Sequence, residues 1–381
     1  MNDPAIATNE TTLSTAPLFK SFDFGGTTLK NRIAMAPMTR GKSPNKIPTD
    51  AVAEYYRKRA EGGVGLIITE GVNPGHPASS GYPDVPWIDG AEAMAGWKKV
   101  IDGVHKAGSA IIPQIWHVGS IRQTGMEPDA SVPGYGPSPI VHPYYEGKEA
   151  EAPHVMTQCD IDETIAAFAS AAKQSRDVGF DGIELHGAHS YLIDQFFWAV
   201  TNQRSDKYGG DLVQRTTFAV ELVQACRAAV GPEFPIVFRY SQWKQGDYKH
   251  KMAETPQELE AFLGKLCDAG VDVFHASTRR FDDAEFEGST LNLAGWSRKL
   301  TGKPAISVGS VGLDSDFLRS MVGKSSGTAG IDALLRRLER DEFDLVAVGR
   351  ALLSDAEWGN KVQEGREKEI VPFTPAAMAE L

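Results

Sequence analysis

Eight short apolar runs recur along the chain, separated by longer segments of helical period. Within each run the apolar residues are consecutive rather than alternating, which is typical of strands buried on both faces of a parallel sheet. Eight β units with intervening helices over about 330 residues predict an α/β fold, a single closed (β/α)8 TIM barrel. The runs are Ile33–Met38, Val64–Thr69, Ala110–Ile115, Gly182–Leu185, Pro235–Tyr240, Val271–Ala276, Ala305–Val308 and Leu345–Val348.

The segments between the runs have the periodicity of amphipathic helices. Asp160 and Thr255 stand where helix N-caps are expected, and Pro256 follows Thr255 at the first helical position. Gly179 and Gly270 stand where helices should end, shortly before the next strand. An open, doubly wound sheet is the competing architecture, but eight successive units without a break favour closure.

No linker divides the repeating units, so residues 17–381 are predicted to form one catalytic domain behind a polar N-terminal tail, residues 1–16. The sixth unit is the least regular, because Thr278–Lys299 shows little helical period. The segment Gly119–Gln158, which follows the third strand, is rich in Pro, Gly, Tyr and His. Such a long loop in a compact domain is usually functional, which predicts a lid or a wall of a binding pocket.

Charge and cysteine usage narrow the classes of function. The 381 residues contain 39 Lys and Arg against 50 Asp and Glu, a net charge of −11. This surplus argues against a general nucleic-acid binder, and no stretch approaches the roughly 20 apolar residues of a membrane span. Cys159, Cys226 and Cys267 are far apart, so they offer neither a disulfide framework nor a CxxC metal pair. We therefore expect a cytoplasmic protein that acts on a small molecule, with no nucleic-acid or membrane partner.

The active site of such a barrel lies at the C-terminal ends of its strands. The residues that follow the predicted strands include a threonine, a carboxamide, two histidines, a tyrosine and two arginines. Two glycine turns, Gly309-Ser310 and Gly349-Arg350, follow the seventh and eighth strands, where barrels usually bind phosphate through backbone N–H groups and a helix N-terminus. Together they predict a ligand with a phosphate at one end and a planar polar body, such as a mononucleotide flavin.

Seven segments, in order and at barrel spacing, resemble the old yellow enzyme family of FMN-dependent ene-reductases. The HGAHxYLxxQF and NxRxDxYGG patterns in the fourth segment are the most specific. The resemblance covers nearly the whole chain after the tail, and it implies non-covalent FMN with NADPH or NADH as electron donor. The segments are Leu29–Arg40, Gly63–Gly71, Pro113–Gly119, His186–Gly210, Phe238–Ser241, Ser307–Gly312 and Val348–Asp355.

The resemblance also implies which residues would bind FMN. Arg239 matches the cation beside flavin N1 and C2=O, where a fixed charge stabilises the charge that develops on reduction. Thr39 matches the hydroxyl that bonds flavin O4, and Gln114 matches the amide at the pyrimidine edge. The full implied set is Pro37, Met38, Thr39, Gly71, Gln114, His186, Arg239, Gly309, Ser310, Gly349 and Arg350.

The same resemblance implies the chemistry. His186 and His189 match the pair that binds the substrate's carbonyl oxygen, which makes the β-carbon electrophilic toward hydride from flavin N5. Tyr191 matches the proton donor at the α-carbon, and a phenol of pKa near 10 is protonated at neutral pH. Trp116 matches a residue that shapes the substrate pocket. The implied function is reduction of activated C=C bonds of α,β-unsaturated carbonyl or nitro compounds with NAD(P)H.

Two other interpretations of the residues remain open. A His-x-x-His pair at a strand end can bind a metal, so a metal-dependent TIM-barrel hydrolase using His186 and His189 is the alternative function. A non-catalytic barrel is the third, although the intact set of His186, His189, Tyr191 and Arg239 argues against it. The sequence leaves open the physiological substrate, the choice between NADH and NADPH, and whether the protein is a monomer or a homo-oligomer.

Overall fold

Eight parallel strands close into a barrel in chain order. They are β1 (Ile33–Met35), β2 (Leu66–Val72), β3 (Ala110–Ile115), β4 (Ile183–Gly187), β5 (Ile236–Tyr240), β6 (Val273–Ser277), β7 (Ala305–Val308) and β8 (Leu345–Val348). The computed structural model describes residues 13–381. β8 pairs with β1, with Val346 opposite Ile33, and this pairing closes the sheet. The predicted (β/α)8 barrel is therefore confirmed.

Every strand overlaps its apolar run, and four strands begin one or two residues later than predicted. The differences that matter for the site lie at the C-terminal ends. β2 continues to Val72, with an irregular register between Ile68 and Gly71. β4 continues to Gly187, so that His186 lies inside the strand and pairs with Arg239 of β5. Polar side chains are thus held by the regular sheet rather than by loops alone, which makes their positions more rigid.

The barrel interior and the layer outside it hold separate groups of apolar side chains. Small inward residues such as Ala34 and Ala347 share the interior with Ile68 and Ile112. An antiparallel hairpin, Phe22–Phe24 with Thr27–Leu29, adds Phe24 and Leu29 to the same cluster. The larger side chains between strands and helices form the main core. The hairpin covers one end of the barrel, and the other end is left available for a site.

Eight helices follow the eight strands. They are α1 (Asp50–Glu61), α2 (Ala91–Lys106), α3 (Gln158–Val178), α4 (Thr217–Val230), α5 (Pro256–Ala269), α6 (Leu293–Thr301), α7 (Asp332–Glu339) and α8 (Arg350–Ser354). Shorter α-helices span Leu192–Phe197, Leu212–Arg215, Phe317–Met321 and Trp358–Gln363. Short 3-10 turns span Ala16–Phe19, Pro44–Lys46, Gly119–Ile121, Pro143–Tyr145, Glu367–Glu369 and Pro375–Met378. Among the described residues, no helix combines the length and apolarity needed to cross a membrane.

The helix boundaries confirm one predicted cap and correct another. Thr255 caps α5 by accepting a hydrogen bond from the Glu258 backbone N–H. Asp160 is not the N-cap of α3, because Thr157 holds that position. Asp160 is the third helical residue, and its carboxylate accepts the Thr157 backbone N–H at 2.7 Å in a capping box.

The irregular segments also differ from expectation. Residues 1–12 of the predicted tail lie outside the described residues, and a 3-10 helix already begins at Ala16. The sixth unit does contain a helix, α6, whose weak sequence signal reflects its nine residues and its buried stretch Leu293–Ser297. The excursion Gly119–Gln158 contributes none of the described residues that line the main cavity. It supports the site instead, because His142 Nε2 lies 3.0 Å from the Ser190 carbonyl oxygen.

Candidate active site

A cavity of about 310 Å³ lies at the C-terminal ends of β1 and of β4 to β8. Nine residues predicted from the sequence line it: Pro37, Met38, His189, Tyr191, Arg239, Gly309, Ser310, Gly349 and Arg350. Barrel closure therefore brings together residues that are up to about 300 positions apart in the chain. The last residue of β6, Ser277, and the loops after β5, β6 and β7 add lining residues that the sequence did not single out: Trp243, Gln245, Tyr248, Ser277, Thr278, Arg279, Leu313 and Phe317.

The other predicted residues lie outside the cavity lining. Thr39 is exposed on the rim. Gln114 is buried and donates its amide hydrogen to Glu184 at 2.7 Å. Only glycine fits at position 71, because a Cβ on Gly71 would lie 2.3 Å from the Trp116 indole. Trp116 stands behind the cavity wall, in edge contact with Tyr191 at a ring-centroid distance of 4.8 Å.

The end of β4 gathers the three residues predicted to be catalytic. The His186 ring lies 5.0 Å from the Tyr191 ring and 5.2 Å from the His189 ring, between centroids. His189 and Ser190 have φ of 62° and 57°, the left-handed conformation that non-glycine residues rarely adopt. This tight reversal returns Tyr191 toward His186, so local backbone strain accompanies the clustering.

Hydrogen bonding and burial define the state of His186. Its Nδ1 accepts the Ala188 backbone N–H at 3.3 Å, which leaves Nε2 as the N–H donor of the neutral ring. Burial, with the nearby Arg239 charge, lowers the pKa of His186 well below its usual range. His186 is therefore a neutral donor at physiological pH. Burial also raises the pKa of Tyr191 well above 10, so its phenol keeps its proton.

A buried ion pair stabilises the backbone reversal at His189 and Ser190. Lys244 Nζ contacts Asp194 Oδ1, and both side chains are fully buried. The other carboxylate oxygen of Asp194 accepts the Ser190 backbone N–H at 2.6 Å. The sequence-based prediction missed this pair, although Lys244 directly follows the loop residues Gln242 and Trp243 after β5. Nothing local in the sequence indicates that Lys244 is buried.

A second polar group inside the barrel was also missed. Glu184 accepts hydrogen bonds from Gln114 on β3 at 2.7 Å and from His275 Nδ1 on β6 at 2.6 Å. Both Glu184 and His275 are fully buried. Glu184 and His275 each lie within a predicted strand run that is mainly apolar. A polar residue at such a position was the available sequence signal for a buried polar group. The group orients Gln114 through its Nε2, while Gln114 Oε1 makes no hydrogen bond among the described residues.

Arg350 organises the loop after β7. Its Nη1 donates to Ser320 Oγ at 2.7 Å and Ser326 Oγ at 3.1 Å. Its Nη2 donates to the Ser315 carbonyl at 2.6 Å and to Ser310 Oγ at 3.3 Å. The guanidinium therefore shapes the glycine turn that was predicted to bind phosphate.

We expect Arg350→Ala to weaken FMN retention by about tenfold or more, because charge-assisted hydrogen bonds contribute about 1.5–3 kcal/mol each. The ratio of flavin to protein absorbance after dialysis measures the effect. Arg319→Ala is the matched control, since Arg319 is exposed on the nearby helix Phe317–Met321. Equal flavin content in wild type and Arg350→Ala would contradict the assignment.

Glu70 anchors the backbone of Arg40 and Gly41, just after the cavity-lining residues Pro37 and Met38. Its Oε2 accepts the backbone N–H groups of Arg40 at 2.8 Å and Gly41 at 2.9 Å. Its other oxygen, Oε1, is buried without a partner among the described residues. Burial raises the pKa of Glu70 to about 7. The folded state therefore binds a proton between pH 4.5 and 7 that the unfolded chain has already lost, so the free energy of unfolding falls as pH rises across this window.

Glu70→Gln keeps an acceptor for the two backbone groups and removes the buried charge. We expect the variant to gain up to about 3 kcal/mol relative to wild type at pH 8, and little at pH 4.5. Urea unfolding at the two pH values measures the difference. Glu151→Gln, at an exposed loop position, serves as control. A Glu70→Gln variant with the same pH slope as wild type would contradict the shift.

Comparison with known proteins identifies the family. A family model described as NADH:flavin oxidoreductase / NADH oxidase matches residues 17–369. The chain belongs to this family. Its resemblance to old yellow enzymes is thereby confirmed, and with it the predicted FMN and nicotinamide cofactors.

Individual relatives agree with the family. The NADH oxidase of Thermoanaerobacter brockii is 33% identical over 362 residues, which cover 93% of this chain and 52% of that protein. The chain thus spans about half the length of this curated relative. A structure of morphinone reductase in complex with tetrahydroNAD is 27% identical, with a TM-score of 0.78 over 95% of this chain and 93% of that one. Old Yellow Enzyme from Pichia sp. AKU4542 is 25% identical, with a TM-score of 0.79 over 96% and 90%.

The site geometry disfavours the metal-dependent hydrolase. Within residues 13–381, no group of three or more His, Cys, Asp or Glu side chains could hold a metal ion. Arg239 lies close enough to lower the pKa of both His186 and His189, after burial as the main cause. A fixed positive charge beside the two rings opposes a divalent cation there.

Proposed function

We propose that this protein is an FMN-dependent NAD(P)H oxidoreductase that reduces activated C=C bonds of α,β-unsaturated carbonyl or nitro compounds. The observation that carries the proposal is the convergence of two neutral imidazoles and a protonated phenol at one end of β4, beside the cavity. FMN, when bound, supplies the hydride, and NADH or NADPH supplies the electrons that renew it.

The residues present fit FMN. Arg239 Nε is buried without a partner in the described chain, so an acceptor on a ligand would satisfy it. At the other end, Gly309, Ser310 and Gly349 line the cavity beside Arg350, as a phosphate site requires. The apolar surfaces of Pro37 and Met38 supply a wall for a planar ring. These residues would hold the cofactor between β1, β5 and the β7–β8 turns.

The chain's own groups would activate the substrate. His186 presents Nε2–H, and a second donor from His189 would meet the same carbonyl or nitro oxygen. These donors stabilise negative charge as it develops on that oxygen, and the burial of His186 strengthens its share of that interaction. Tyr191 is within reach of the same region and holds the proton that the α-carbon needs. Neutral imidazoles suit this role, because they donate hydrogen bonds without delivering a proton to the oxygen prematurely.

Anaerobic stopped-flow spectroscopy tests the proposal. NADH or NADPH should bleach the flavin absorbance, and 2-cyclohexenone should then restore it with formation of cyclohexanone. Cyclohexanone itself is the control and should leave the flavin reduced. Reoxidation by O2 alone, with no product from any enone or nitroalkene tried, would contradict the proposed reaction and favour an oxidase.

A further inference from the structure

Three contacts hold His189 in place from different sides. Its backbone N–H donates to Ser241 Oγ at 3.0 Å. Its ring Nε2 lies 2.7 Å from Ser277 Oγ. The Trp243 indole stacks on the ring face with 4.4 Å between centroids and 17° between planes. Trp243 Nε1 also donates to the Ser277 carbonyl at 3.1 Å, so Trp243 ties the two residues together.

The hydroxyl of Ser277 has a second partner, Arg239. Arg239 Nη2 lies 3.3 Å from Ser277 Oγ, and a guanidinium can only donate. The serine oxygen therefore accepts from Arg239 and retains its own hydrogen for another acceptor. The oxygen keeps a second lone pair, so the contact with Arg239 alone allows either direction toward His189. Among the described residues, however, His189 Nε2 is the one acceptor within hydrogen-bond distance of the hydroxyl hydrogen, and donation to it is what satisfies that hydrogen. Burial and the Arg239 charge lower the pKa of His189 well below its usual range, so the ring is neutral and one nitrogen is free to accept.

We propose that Ser277 is a positioning residue that donates its hydroxyl hydrogen to Nε2 of His189 and thereby keeps the ring hydrogen on Nδ1. In the described chain, Nδ1 makes no hydrogen bond to the protein. It is available to an oxygen of a ligand in the cavity that His189 lines. Ser277 thus links the cation at the flavin edge, Arg239, to the donor that meets the substrate.

The two histidines then present opposite ring nitrogens. His186 is fixed as the Nε2–H tautomer by the Ala188 backbone N–H, and Ser277 fixes His189 as the Nδ1–H tautomer. Two donors that converge on one oxygen require both tautomers to be set before the ligand arrives, since each wrong tautomer turns a donor into a repelling acceptor. The use of Nδ1–H by a substrate rests on the proposed function, whereas the tautomer itself does not.

Nitrogen NMR tests the tautomer directly. Holoenzyme labelled with 15N-histidine is examined at pH 8 by two-bond 1H–15N correlation, and His189→Gln identifies the signals of His189. Wild type should show hydrogen on Nδ1, and Ser277→Ala should shift the tautomer ratio toward Nε2–H by about tenfold, the equivalent of one hydrogen bond. Ser277→Thr retains a hydroxyl and should restore the wild-type ratio.

Ser307→Ala is the matched control, because Ser307 is a buried strand serine on β7 whose hydroxyl bonds Asn292 instead. It should leave the His189 signals unchanged. Hydrogen on Nε2 in wild type would overturn the inference, and so would an unchanged ratio in Ser277→Ala. If Ser277→Ala does not fold, the wild-type spectrum still decides the tautomer, and Ser277→Cys, whose thiol is a weaker donor, tests the hydroxyl by the same shift toward Nε2–H.

A titration separates the tautomer assignment from the proposed function. It follows the flavin spectrum as para-chlorophenol is added, because the phenol oxygen would take the place of the substrate oxygen that His186 and His189 are proposed to bind. Ser277→Ala should weaken binding of the phenol about tenfold, as expected for loss of one well-oriented donor. If the tautomer shifts but neither Ser277→Ala nor His186→Ala affects phenol binding, the proposed substrate site is wrong and the tautomer assignment stands. If only His186→Ala weakens binding, Nδ1 of His189 is not a ligand donor.

Discussion

Replacing Tyr191 with phenylalanine is expected to slow reoxidation of the reduced enzyme by 2-cyclohexenone about 10²–10⁴-fold, the usual contribution of a positioned general acid. Reduction of the flavin by NADH or NADPH should stay near the wild-type rate, because that half-reaction needs no proton from the phenol. The Tyr191 ring packs against Trp116 and His186, and phenylalanine keeps those contacts. Anaerobic stopped-flow measurement of each half-reaction separates the two rates.

Tyr145→Phe is the matched control, because it removes a hydroxyl that bonds the Ile121 carbonyl at 2.7 Å in the excursion Gly119–Gln158, outside the cavity lining. Both half-reactions of this variant should resemble wild type. Equal slowing of both half-reactions in Tyr191→Phe would show that the tyrosine shapes the pocket rather than supplying the proton.

The second large effect concerns stability. Lys244→Met should lower the free energy of unfolding by about 3–5 kcal/mol, because it leaves the carboxylate of Asp194 buried without its counter-ion. Both side chains of the pair are fully buried, and Asp194 also bonds the strained Ser190 backbone. Urea unfolding measures the loss. The variant should also bind para-chlorophenol more weakly, since the segment that carries His189 and Tyr191 loses its support.

The double variant Asp194→Asn/Lys244→Met distinguishes a charge effect from a packing effect. It removes both charges and keeps an acceptor for the Ser190 N–H, so it should recover much of the stability lost in Lys244→Met. Lys249→Met, at an exposed position in the same loop, should change stability by less than about 0.5 kcal/mol. A Lys244→Met variant that unfolds at the wild-type urea concentration would contradict the role of the pair.

The strand positions could be predicted because burial on both faces leaves a local mark. β3, β7 and β8 match their apolar runs residue for residue. The helix start at Asp160 was wrong because Thr157 and Asp160 both carry cap-forming side chains, and only the backbone conformation decides which one stands outside the helix. The helix α6 was obscured because it begins only at Leu293, so most of the predicted unit Thr278–Lys299 is loop.

The site could be predicted only in part. Arg239 lies near the end of β5, His189 and Tyr191 follow β4, and all three line the cavity. Gln114 and Gly71 also stand at strand ends, where Gln114 donates to Glu184 and Gly71 lies against the Trp116 indole, and the sequence did not indicate either neighbour. Which partner a strand-end group meets depends on the neighbouring strand, and no local pattern encodes that neighbour.

The sequence by itself determined the eight-unit barrel, and it predicted the cluster of His186, His189 and Tyr191 at the C-terminal end of β4. These follow from residues within a few positions of one another, where periodicity and spacing act. Only the tertiary structure decided that Lys244 neutralises Asp194 and that Ser277 meets both Arg239 and His189. Those contacts join residues 38 to 88 positions apart, and they exist because closure of the barrel brings the C-terminal ends of β4, β5 and β6 and the segments after them together.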